Sequence, residues 1–129
     1  MPSPAADAYA AVESISASGR QLEASALFRV ARALQQAQQE WGTPAGPARV
    51  DEAVKLNQKL WTLFQAEISA PDSQLPDELK LSIGRLIEFI DRRTFDIFAF
   101  PAPEKLTVLI NINRNIAAGL AASPKVATV

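Results

Sequence analysis

The sequence predicts an all-α fold, an antiparallel bundle of four main helices with a short N-terminal helical extension. Apolar residues recur at three- and four-residue spacing through four segments of about 16 to 22 residues. Proline and glycine gather between those segments, and no stretch shows the strict apolar–polar alternation of a half-buried strand. At 1.5 Å per residue such helices would be roughly 24 to 33 Å long, similar enough to lie side by side. With 129 residues the prior is one domain, burying about two-thirds of the surface of its unfolded chain. The expected organisation is a loosely held N-terminal segment over 1–17, a bundle over 18–122 and a flexible tail over 123–129.

Residues 1–17 open with Pro2 and Pro4 and then suit a short helix carrying Tyr9, Val12 and Ile15. Ser18 with Gln21 has capping-box spacing ahead of a run in which Leu22, Leu27, Val30, Ala31 and Leu34 recur at helical intervals, giving a first long helix to about Gln39. Gly42, Pro44, Gly46 and Pro47 then form a connection. Asp51 and Glu52 stand where a second helix would begin, favourable for its dipole, and the stripe Val50, Val54, Leu60, Trp61, Phe64 and Ile68 carries it to Pro71. Pro76 fits the first turn of a third helix, with Asp77 and Glu78 beside it. Its stripe is Leu79, Ile83, Leu86, Ile87 and Ile90, and Arg92 and Arg93 suit its C-terminal end. Pro101 and Pro103 punctuate again. Glu104 begins the fourth helix, striped by Leu106, Leu109, Ile110, Ile116 and Leu120, with Gly119 in its last turn before Ser123-Pro124.

Composition removes whole classes of function. Cys and His are both absent, which excludes disulfides, thiol nucleophiles and thiolate metal sites along with the usual general base and commonest transition-metal ligand. The expectation is a non-enzyme with no cofactor and no metal. The adjacent pairs Asp51-Glu52 and Asp77-Glu78 point to different sides of a helix, and the five glycines are dispersed rather than gathered in a phosphate loop. A net charge of −1 supplies no field to concentrate nucleic acid or an anionic membrane. The first 19 residues contain no Lys or Arg, unlike a secretory signal. No window approaches the roughly 20 apolar residues of a membrane span, so a soluble cytoplasmic protein without membrane insertion is expected.

Two amides interrupt the apolar stripes, Asn57 in the second helix and Asn113 in the fourth. Buried amides must find partners, so an interhelical hydrogen bond or a water site that fixes register is the expected role. Trp61 lies within its stripe and reads as a core anchor. Further apolar residues lie well around each helix from the stripes: Leu56 and Leu63 in the second, Leu81 and Phe89 in the third, Val108 and Ile112 in the fourth. Either the bundle buries them or they mark an interface. In Thr94–Pro103, Phe95 and Phe98 either extend the third helix's buried face and cap the bundle or, together with Phe100, form a docking site for a partner helix.

The ordered set Asn57 with Leu60-Trp61-Thr62, Leu75-Pro76 with Leu79, Leu109-Ile110 with Asn113, and Gly119-Leu120 resembles the FlaF family of small flagellar proteins. Ser18-Gly19-Arg20 with Leu22-Glu23-Ala24 resembles the family's entry into its first long helix. Ser73 stands where the family pattern has an Asn, and the segment Thr94–Pro103 is richer in Phe than that pattern. The resemblance implies a cytosolic chaperone that binds flagellin subunits for secretion and regulates flagellin production alongside the translational regulator FlbT. The runner-up is a post-transcriptional regulator acting on flagellin messenger RNA directly or through FlbT, for which the sequence has neither a basic stripe nor RNA-binding aromatic motifs. A structural subunit of the flagellum is a third class.

Overall fold

The computed structural model describes the backbone of residues 15–73 and 76–122, and the side chains of residues 22–73, 76–78 and 80–121. The chain forms α1 (Ile15–Gln39), α2 (Gly46–Ser69), α3 (Asp77–Ala99) and α4 (Lys105–Ala122), with no strand among the described residues. Successive helices are neighbours and α4 returns to lie along α1, so the four close into a ring with α1 opposite α3 and α2 opposite α4. The joint between α1 and α4 is the most extensive, and that between α3 and α4 is the most open. This is the expected all-α bundle. The expected N-terminal helix, apart from Ile15, and the tail over 123–129 lie outside the described residues, as does Leu75.

The core forms where one stripe from each helix meets. Leu27, Val30 and Leu34 of α1, Val54 and Trp61 of α2, Ile87, Ile90 and Ile97 of α3, and Leu106, Leu109 and Ile110 of α4 are all buried. Each branched side chain so enclosed contributes about 1.5–3 kcal/mol relative to exposure. Ala24, Ala37, Ala53 and Ala117 are equally buried. Their small side chains let backbones approach closely, and interaxial distance is set by such residues. Leu22 is the exception to the predicted stripe, at 70% exposed. It lies five residues before Leu27, about 140° around the helix at 100° per residue, and so falls off the buried line.

Several boundaries differ from expectation, each for a local reason. The chain is already helical at Ile15, so Ser18 lies inside α1 and not at its start. Helix α2 starts at Gly46 with Pro47 in its first turn, where a missing N–H costs nothing. Asp51 and Glu52 are therefore past the first turn, and Asp51 pairs instead with Lys55 at 3.0 Å. The α1–α2 connection folds back tightly: Thr43 donates from N and Oγ1 to the Glu40 carbonyl, and Gly46 N–H donates to the Thr43 carbonyl. Gly46 is required there, since a Cβ would lie 2.6 Å from the carbonyl oxygens of both Glu40 and Trp41. Pro76 precedes α3 in extended conformation as its N-cap, leaving Asp77 and Glu78 in the first turn. Helix α3 then runs two turns beyond Arg92 and Arg93, so the segment from Thr94 to Ala99 is helix and not loop. Ile97 continues the buried stripe, and Thr94 enters it by donating its Oγ1 hydrogen to the Ile90 carbonyl at 2.8 Å.

Candidate functional site

The two amides predicted to be buried meet at the centre of the bundle. Asn57 and Asn113 are 0% and 1% exposed, on helices that stand diagonally across the ring. Trp61 Nε1 donates to Asn113 Oδ1 at 2.9 Å, and Asn113 Nδ2 donates to Asn57 Oδ1 at 2.7 Å. An indole N–H can only donate, so it fixes which way the Asn113 amide points, and that in turn fixes Asn57. The relay runs one way and ends on Asn57 Nδ2, which is buried with no acceptor. Trp61 is further held edge-on to Phe64, with ring centroids 5.3 Å apart and planes at 89°. The two hydrogen bonds tie α2 to α4 across the middle of the bundle.

The surplus apolar residues fall into three places. Leu56 and Leu63 are exposed on the flank of α2 that borders α1, beside a shallow groove lined by Ala33, Gln36, Ala53 and Leu56. Leu22 projects on the corresponding flank of α1. It belongs to the apolar run of α1 by spacing, but its angular offset from Leu27 takes it off the buried line. Leu81, Phe95, Phe98 and Phe100 are exposed on α3 and its C-cap. Phe98 borders a cleft of about 320 Å³ between the α1–α2 connection and the end of α3, together with Trp41, Pro47, Val50, Ile97 and Pro101. Phe89, Val108 and Ile112 are half-buried. Val108 and Ile112 rest against the core, as does Leu60, so these two are in part packing residues and not a free second face.

Charged groups thread the α3–α4 side. Lys105 Nζ reaches Asp96 at 3.0 Å and the Phe100 carbonyl at 2.6 Å, and stands 5.7 Å from the Phe100 ring centroid. Arg93 lies 5.7 Å from the Phe89 centroid, with Nη1 3.6 Å from the same Asp96 carboxylate. Its Nε is buried without a partner. Sequence reasoning missed this cluster, because it joins side chains from two helices and their connection.

The residues that build the diagonal relay, Asn57, Trp61 and Asn113, are among those on which the resemblance rests. The family model described as flagellar protein FlaF matches residues 5–120. The chain belongs to the FlaF family. No curated protein and no solved structure matches it. This FlaF chain is thus a flagellar protein with a helical-bundle fold, and no helix among its described residues is long and apolar enough to cross a membrane.

Proposed function

We propose that this FlaF protein is a cytoplasmic, non-catalytic chaperone that binds flagellin subunits for secretion and regulates their production. The observation that carries the reading is the uncovered surface of α3: Leu81, Phe95 and Phe98 on one side, Phe100 and half-buried Phe89 on the other. Phe95 and Phe98 are 78% and 43% exposed, so roughly 200–300 Å² of phenylalanine surface faces water on that one side, at the lower end of the size at which an apolar patch marks a contact site. That is below the roughly 800 Å² per partner of a standard stable interface. A subunit that must be handed on for export calls for such a modest surface, and an apolar helix laid along it would be shielded until release.

The test is co-purification with flagellin from the same cytosol, followed by titration of the pair at two salt concentrations. A one-to-one complex whose affinity changes little with salt supports the chaperone. Absence of association between the two folded proteins refutes it. A steep salt dependence of binding to the flagellin messenger leader would then support direct action on RNA, and capture of FlbT an indirect route.

A further inference from the structure

We infer that the seam between α3 and α4 receives an amphipathic helix of the partner, with a carboxylate at the edge of that helix paired to Arg93. This rests on the chaperone reading and assigns it a place and a chemistry. Helices α3 and α4 are the least closely packed neighbours in the ring. Phe89 of α3 is half-buried, as are Val108 and Ile112 of α4, which pack against the core and keep only part of their surface exposed, so the seam has a narrow apolar floor.

The charges at its upper end do not balance. Two cations, Arg93 and Lys105, share one carboxylate, Asp96. Lys105 holds it at 3.0 Å, within hydrogen-bond reach, whereas Arg93 is left at 3.6 Å, beyond it. The guanidinium offers five N–H donors in a planar fork; its Nε is buried, but the side chain as a whole is 30% exposed, so the outer Nη donors are the ones a partner can reach. It lies on the Phe89 ring, which places it at the edge of the apolar floor. An apolar floor with one unsatisfied cation beside it complements a helix whose apolar stripe is flanked by Asp or Glu, the carboxylate supplying a fork partner that Asp96 does not. One surplus charge is too little for a nucleic acid backbone.

The experiment uses the full chain labelled with ¹⁵N and unlabelled monomeric flagellin, with calorimetry on the wild type, Arg93→Gln, Arg93→Lys and Phe89→Ser. Amide shifts are expected around Phe89, Arg93, Val108 and Ile112. Affinity should fall about tenfold in Arg93→Gln, and Arg93→Lys should recover part of that loss. Unchanged melting of the Arg93 variants separates the effect from folding. Wild-type affinity in Arg93→Gln and Phe89→Ser, with shifts confined to the Leu56–Leu63 flank or to Phe95 and Phe98, would overturn the seam while leaving the chaperone standing. A concentration-dependent dimer formed through the seam without flagellin would also overturn it. No binding by the wild type would overturn both.

Discussion

Replacing Asn113 by Leu removes the middle of the buried relay, and the one-way direction of that relay sets the size of the effect. In the native chain one polar atom of the trio, Asn57 Nδ2, lacks a partner. Asn113→Leu would add two more, Trp61 Nε1 and Asn57 Oδ1, because both bond to Asn113 alone within the trio. Each stranded buried group costs about 1–3 kcal/mol, partly offset by the added leucine, so the net loss should be about 3 kcal/mol. Set against a total of roughly 5–15 kcal/mol, this lowers Tm by roughly 10–20 °C. Asn57→Leu differs in kind. It strands Asn113 Nδ2 but deletes the atom that was already stranded, and its cost should stay below about 1 kcal/mol. The triple change Asn57→Leu, Trp61→Phe, Asn113→Leu leaves no stranded group in the trio and should recover at least half of the loss caused by Asn113→Leu alone. Helicity followed by circular dichroism through thermal and urea unfolding measures all three. Equal losses in the two single variants would refute the one-way relay, as would a triple variant no more stable than Asn113→Leu.

The double change Phe95→Ser, Phe98→Ser should keep full helicity and lower Tm by less than about 5 °C, since both rings stand outside the core. It should weaken flagellin binding less than Arg93→Gln does; a collapse of helicity would return the rings to the core. Gly46→Ala places a Cβ against two backbone carbonyl oxygens that cannot swing aside, and should cost about 1–3 kcal/mol by urea unfolding. Gly84→Ala, in the interior of α3 where a Cβ meets nothing within 4 Å, should instead stabilise by about 0.5–1 kcal/mol through helix propensity. A loss there would mean that α3 packs more tightly at that turn than its open surroundings indicate.

The four helices were legible because proline, glycine and apolar spacing agree over long segments. Errors came where one residue type supports two readings. Pro47 reads as a breaker and also as a favoured first-turn residue, and the chain uses the second. Arg92 and Arg93 resemble a C-terminus, yet Thr94 satisfies its own hydroxyl against Ile90 and lets the buried stripe run on to Ile97. The burial of Asn57 and Asn113 was legible from their place in apolar stripes, but the direction of their hydrogen bonds was not, since it depends on an indole meeting an amide from the opposite side of the bundle. Periodicity also exposed the surplus apolar residues without dividing them: Val108 and Ile112 touch the core, Leu56 and Leu63 face water. The Arg93–Asp96–Lys105 cluster follows from how α3 turns into α4, which no single-helix pattern encodes.

The dominance of the α1–α4 joint has a consequence for synthesis on the ribosome. Among the described helices α1, made earliest, packs most extensively against α4, which is completed only about 80 residues later, some 4–16 s at 5–20 residues per second. Until then the faces of Leu27, Val30 and Leu34 lack their principal cover. A premature stop before Leu106 would therefore not leave a smaller stable bundle; it would leave α1 without its main support and hand the nascent chain to proteolysis.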